Sequence, residues 1–271
     1  MSASKLKNLI LLILTLVNLF LLVLVIPKQL AVRRQEKQEM ESLLTFFAQE
    51  GISLDAPIPE TMTIHASELS CSREMQEKLL SSLLGPDCET LHSGYQTVFT
   101  SPDGFAVLDA EGLFTAEFTP GLFSGPEDSM RELLARMGLG HLTVTQMQSD
   151  GMTVCTAPLE LDGLPVFSQP LSFVFEKGEL LRAVGQLPVG QSAPVRTGKN
   201  ACAEAQSALI AFLGSRDETG WVGSRIISVR QGYMARSAAA ALLVTLEPVW
   251  EIRTDTGTFL VNGLTMNVTA A

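Results

Sequence analysis

Residues 150–186, DGMTVCTAPLELDGLPVFSQPLSFVFEKGELLRAVGQ, are the stretch from which the fold is read. Asp150–Gly151 leads into an apolar run from Met152 to Leu161. Asp162–Gly163 then turns the chain into Pro165 and onward, and Lys177–Gly178 turns it again into Leu180–Gln186. Two-residue reversals ending in glycine are hairpin signals, because short hairpin turns need positive φ angles that glycine adopts freely. Leu171, Phe173 and Phe175 alternate with Ser172, Val174 and Glu176, the period of a strand. Successive strands joined by such short turns are antiparallel, so this region is a meander and not a parallel crossover unit.

The same grammar extends outward in both directions. Upstream, Leu142, Val144 and Gln146 alternate with Thr143 and Thr145, and Glu127 to Met137 reads as a helix with Leu133, Leu134 and Met137 inward. Further upstream, a helix from Ser67–Glu68 to Leu84 has Met75, Leu79, Leu80, Leu83 and Leu84 on its apolar side. It precedes strands at Tyr95–Thr100, Phe105–Leu108 and Leu113–Phe118. Downstream, 190–198 reads as a loop and Asn200 to Leu213 as a helix with Cys202, Ala205, Leu209, Phe212 and Leu213 inward. Strands follow at Ile226–Tyr233, Ala240–Leu246, Val249–Arg253 and Thr258–Val261. Helix then meander thus occurs over 67–118, 127–187 and 200–268, which predicts an α+β body with helices packed on one face of antiparallel sheets. Gly121, Gly125 and Pro126 mark a break between a first α+β lobe, 51–125, and a second, 126–271.

Before this body comes Leu9–Ile26, LILLILTLVNLFLLVLVI, eighteen residues without a charge. As a helix it spans roughly 27 Å, close to the hydrocarbon thickness of a bilayer. Lys5 and Lys7 precede it and Pro27–Lys28 follow. A cleaved signal peptide has a shorter apolar core and small residues before its cut, and PKQLAVRRQ offers no such site. The expectation is therefore an uncleaved transmembrane helix at 9–26 between a short cytoplasmic tail, 1–8, and a juxtamembrane helix, 27–50. In that last helix Met40, Leu43, Leu44 and Phe47 recur at helical spacing, and Gly51 stops it. Lys and Arg flank both ends of the span, so counting them does not choose an orientation. A short basic start held in the cytoplasm is the usual beginning of a single-pass exported protein, which places the body outside. Asn18 is the polar residue whose location demands an account. A carboxamide among lipid tails gains by meeting another helix, typically by about 0.6–2 kcal/mol. Leu11, Thr15, Asn18, Leu22 and Val25 share one side of the span and form its candidate partner-helix contact.

With Lys5, Lys7 and Lys28 set aside, 16 Lys and Arg remain against 29 Asp and Glu, a formal −13. That balance excludes a nucleic-acid binder, which needs cationic surface to displace counterions from phosphate. Cys71, Cys88, Cys155 and Cys202 lack metal-ligand spacing and read as small buried free thiols. Cys71–Cys88 is the one pair placed for a disulfide. His65, His92 and His141 are isolated, and neither HExxH, GxSxG nor a strand-borne GxGxxG occurs. Gly198–Lys199 is followed by Asn200 and lacks the spacing of a phosphate loop. No catalytic, cofactor-binding or metal-ligating set is assigned, and the chain is expected to act by contact rather than as an enzyme.

Three blocks together resemble the YycH/YycI-type regulators of Firmicutes. The first is the span with Asn18, followed by Leu43–Leu44, Gly51–Ile52 and Pro57–Ile58–Pro59. The second is Leu164–Pro165–Val166–Phe167, Leu171–Ser172–Phe173–Val174–Phe175 and Gly178. The third is Gly232–Tyr233, Leu246–Glu247–Pro248–Val249–Trp250–Glu251–Ile252, Thr254, Gly257 and Asn262. The last block is also similar to a PepSY-like ending. The resemblance implies a membrane-anchored accessory protein of a two-component system, whose helix inserts beside the transmembrane helices of a sensor histidine kinase (WalK/YycG). A sister YycH-type protein is a further implied partner. A PepSY-type inhibitor or chaperone of a secreted hydrolase, merely tethered by its helix, is the alternative. For Tyr233, Pro248, Trp250, Phe167, Phe173 and Phe175 the expectation from hydropathy is core packing rather than binding.

Overall fold

The computed structural model describes residues 14–17, 41–59, 61–195, 201–237 and 243–271. The chain divides into a unit through Leu54 and a unit from Asp55 to Ala271. In the first unit residues 14–17 are helical and exposed. A helix, α1, covers 41–49, and Ser53–Leu54 (β1) is extended. Leu43 and Phe47 are buried in α1, whereas Leu44, expected on the same side, is exposed. Most of the expected transmembrane helix, 9–13 and 18–26, lies outside the described residues. Among those described, no helix is long and apolar enough to cross a membrane.

The second unit is α+β, built on a large, mostly antiparallel sheet. In chain order its elements are β2 (Ser67–Cys71), α2 (Arg73–Leu84), β3 (Glu89–Ser93), β4 (Gln96–Ser101), β5 (Gly104–Leu108), β6 (Leu113–Phe118), α3 (Pro126–Arg136), β7 (Thr145–Ser149), β8 (Met152–Leu161) and β9 (Leu164–Glu176). There follow β10 (Glu179–Gln186), β11 (Gly190–Pro194), α4 (Ala205–Gly214), α5 (Arg216–Thr219), β12 (Arg225–Ser237), β13 (Leu243–Thr254), β14 (Thr258–Asn262) and β15 (Val268–Ala270). The spatial order is β11-β2-β13-β12-β9-β10-β6-β5-β4-β3, with β7–β8 on β9 and β14–β15 on β13.

The hairpins of the opening stretch have a local cause. Asp150 and Gly151 lie at φ 50° and 80°, Asp162 and Gly163 at 52° and 78°, and Lys177 and Gly178 at 51° and 87°. Two successive positive angles define the turn whose twist suits paired strands. Pro158 sits where the β8–β9 register slips between Ala157 and Leu159, the kind of irregularity that tolerates a missing donor. β9 is the shared strand. Its end, 172–176, pairs with β10, while Val166 meets Tyr233 of β12 in parallel register.

α2 and α3 cover one face. Leu80, Leu83 and Leu84 of α2 and Met130, Leu133 and Leu134 of α3 share a core with Phe99, Leu108, Phe114, Phe173 and Phe175. That core draws on residues before and after position 125. Further along, Phe212 of α4 packs on Trp221 and Phe259 with ring centroids 4.8 and 5.1 Å apart.

Several sequence expectations are corrected. The helix read as 67–84 begins at Arg73. Ser67–Cys71 is a strand held between β13 and β11, and Ser72 caps the helix by accepting from the Met75 amide at 3.3 Å. Within it Gln76 faces inward, one turn before Leu80, and Met75 is exposed. The loop read over 190–198 contains β11, and the helix read from Asn200 begins at Ala205. β13 continues through Pro248, whose carbonyl accepts from the Gly263 amide at 2.7 Å. Phe173 and Phe175 are core as expected; Phe167 is only half-buried and lies beneath Arg230. All four cysteines are free.

Candidate functional site

The C-terminal sequence block is a structural brace. Trp250 is wholly buried and its indole donates to the Ala203 carbonyl at 2.9 Å. Arg230 Nε donates to Glu251 Oε2 across the β12–β13 pair at 2.7 Å, and the guanidinium lies 5.4 Å from the Phe167 ring centroid, linking three strands. Glu247 accepts from Arg236 at 3.0 Å and from Asn262 Nδ2 at 2.7 Å. Asn262 Oδ1 in turn accepts from the amides of Leu264 and Thr265. Tyr233 and Pro248 are buried, as expected from hydropathy.

A second constellation joins residues that the sequence does not bring together. Arg73 Nη2 donates to Thr97 Oγ1 at 2.7 Å, Thr97 donates to Glu77 Oε1 at 3.0 Å, and His92 Nδ1 lies 3.2 Å from the same hydroxyl. Arg73 also reaches the carbonyls of Leu108 and Asp109 and pairs with Glu77 at 3.2 Å. The residue types suggest catalysis, but the partners oppose it. Thr97 is 2% exposed, its proton is given to Glu77, its oxygen accepts from Arg73, and His92 Nδ1 lies against the same hydroxyl. It is a tie between α2 and the β3–β4 hairpin. Thr97→Val, which keeps the shape and removes the hydroxyl, is expected to lower stability by about 1–2 kcal/mol because Arg73 and Glu77 lose a partner in a half-buried setting. Urea unfolding measures this, and an unchanged midpoint would mean water replaces the hydroxyl without loss.

The tie fixes an exposed edge. β3 ends the sheet and, among the described residues, pairs with β4 alone; all five of its residues are exposed. A third feature is a groove of about 400 Å³ between α3 and β7–β8. Met130, Leu134, Leu142 and Cys155 line it, with Glu127 and Arg131 at its rim. Glu127 and Arg131 are paired with each other at 3.1 Å, so the groove's two charged side chains satisfy one another rather than converging on a ligand. Burial pushes the thiols of Cys71, Cys88, Cys155 and Cys202 up, so each is mostly protonated near neutrality and a poor nucleophile. Among the described residues, His, Cys, Asp and Glu side chains form no group of three suited to a metal ion. Of the expected partner-helix contact, Leu11, Asn18, Leu22 and Val25 lie outside the described residues; Thr15 falls in the helical segment 14–17.

No protein-family model matches the chain, and no curated protein matches it. Among solved structures it is similar to an uncharacterized protein from Eubacterium rectale, with a TM-score of 0.48 at 9% identity, over 81% of this chain and 90% of that one.

Proposed function

We propose that the chain is a membrane-anchored regulator that works by contact: its span, residues 9–26, lies beside the transmembrane helices of a sensor histidine kinase, and its extracytoplasmic body adjusts the kinase's activity. The body would consist of the two lobes 51–125 and 126–271. The observation that supports this most is the charge-free run Leu9–Ile26 with a carboxamide at Asn18, flanked by Thr15 on the same side. An amide buried in lipid is stabilised by a partner helix, and a partner with two states is biased by whichever state it fits better. A difference of about 1.4 kcal/mol in that fit changes the ratio of states tenfold. The resemblance of the three sequence blocks to YycH/YycI-type regulators supports the same reading. So does the acidic body, which suits neither nucleic acid nor an anionic lipid surface.

The test is to replace residues 9–26 with an unrelated apolar helix lacking polar groups, in parallel with Asn18→Leu. Kinase-dependent transcription should shift to the level of cells lacking the chain, with membrane abundance unchanged. Output equal to the parent's would refute helix recognition. Retained inhibition of a secreted hydrolase by the helix-replaced chain would establish the tethered PepSY-type alternative instead.

A further inference from the structure

The unblunted end of the sheet carries an inference independent of the anchor. Natural proteins protect terminal strands with proline, lysine, bulges or a covering element, because unpaired backbone groups otherwise recruit another strand. The strand at the opposite end, β11, contains Pro194. β3, Glu89-Thr90-Leu91-His92-Ser93, has neither proline nor lysine, runs without a register shift against β4, and leaves Leu91 67% exposed.

Which backbone groups are free follows from the turn. Ser93 and Gln96 flank the two-residue loop Gly94–Tyr95, where Gly94 has φ 60°. Residues flanking such a loop form a hydrogen-bonded pair, and hydrogen-bonded and non-hydrogen-bonded pairs alternate along an antiparallel ladder. Ser93, Leu91 and Glu89 therefore spend their amides and carbonyls on β4. Thr90 and His92 direct theirs outward.

We infer that this edge pairs with the same edge of a second copy, antiparallel, with Leu91 opposite Leu91 on a two-fold axis. In that register Thr90 lies opposite His92 and the two exchange both backbone hydrogen bonds, while Glu89 lies opposite Ser93. All five residues are used and no like charges meet. Leu91, Val98 and Val107 lie directly across from one another in β3, β4 and β5 and so share a sheet face. The two-fold axis doubles that row into an apolar strip, with the leucines in the close, non-hydrogen-bonded position. The strand is thus its own complement, which is what an isologous contact requires. The body's formal −13 opposes the approach of two copies, so pairing strengthens as salt screens that repulsion. A cationic partner on the same edge would behave in the opposite way.

The experiment is sedimentation equilibrium of the full chain in detergent, across protein and salt concentration, for the parent and three variants. Thr90→Pro removes an outward amide and leaves the β3–β4 ladder intact. Leu91→Lys sets two cations together on the axis without touching the backbone. Asn18→Leu removes the polar group of the apolar run. The parent should form dimers that tighten with salt. Thr90→Pro and Leu91→Lys should weaken dimerisation about tenfold or more, since each copy forfeits a contact in the pair, and both should keep the unfolding midpoint that the parent shows at concentrations where it is monomeric. Asn18→Leu should dimerise like the parent. A monomeric parent, dimers that loosen with salt, edge variants that dimerise unchanged, or dimerisation lost in Asn18→Leu would each overturn the inference. None of these outcomes bears on kinase output, so this result and the regulatory reading stand or fall separately.

Discussion

Trp250→Ala is expected to destabilise the body by about 4 kcal/mol, in the range measured when large aromatic side chains are cut back in cores. Trp250 is wholly buried at the middle of three adjacent strands, with Gln231 of β12 on one side and Val261 of β14 on the other. Two costs combine. The deleted ring leaves a cavity among strands whose registers are fixed by continuous ladders, so collapse around it is limited. The Ala203 carbonyl, which accepts from the indole at 2.9 Å, is also left without that donor just ahead of α4. Trp250→Phe separates the terms: most of the ring volume stays, the donor goes, and the expected loss falls to about 1–3 kcal/mol. Urea unfolding followed by far-ultraviolet circular dichroism measures both. Trp221, the other tryptophan of the chain, reports independently by fluorescence. A loss below about 1 kcal/mol in Trp250→Ala would show that the three strands close over the gap.

Much of this architecture was legible because it is written locally. Asp150–Gly151, Asp162–Gly163 and Lys177–Gly178 announce their turns through residues that accept positive φ, and the first two bound β8 at both ends. What escaped was written at long range. By its pattern alone Ser67–Cys71 reads as part of the helix that follows it, because its strand identity comes from β13 and β11, more than a hundred residues away in the chain. Met75 reads as inward for its hydropathy, but Gln76 stands one turn before Leu80 and two before Leu83 and is the residue that is buried. β3 escaped for a different reason. Glu89–Ser93 contains one large apolar residue and no alternation, as suits a strand with no face to bury.

The candidate sites divide along the same line. Of the Arg73–Glu77–Thr97–His92 set, only Arg73 and Glu77 stand at helical spacing, and only the fold shows that the group secures the base of the exposed edge. The charge-free run Leu9–Ile26 is the converse case. Its hydropathy, flanks and single carboxamide are all in the sequence, and most of its residues lie outside those the structure describes. The proposed regulatory contact lies in residues 9–26 and the proposed self-association in the edge 89–93, and no residue is common to both.

Gly232→Ala is expected to cost about 3 kcal/mol despite adding a single methyl group, because the space it enters is occupied by backbone. A Cβ at this position would lie 2.4 Å from the Pro165 carbonyl oxygen and 2.5 Å from Phe167 Cε2. The contact falls where β12 meets β9 beside the parallel register Tyr233↔Val166, with the Ala235 amide donating to Ser168 Oγ at 2.7 Å nearby. This junction joins β12, β13, β2 and β11 to β9, β10 and the rest of the sheet, so a methyl group there prises apart two strand groups and does not merely crowd a pocket. Combining the change with Phe167→Ala discriminates the cause. A flexible ring would yield and restore stability, but the Pro165 carbonyl is main chain, so the double variant should remain destabilised. Gly214→Ala supplies the comparison, as its added methyl group meets nothing within 4 Å and its backbone has no positive φ. That variant should match or slightly exceed the parent, by up to about 1 kcal/mol, through the lower entropy of its unfolded chain. Equal urea midpoints for Gly232→Ala and the parent would mean that β9 and β12 separate freely at this point, and the junction would then contribute little to holding the two groups of strands together.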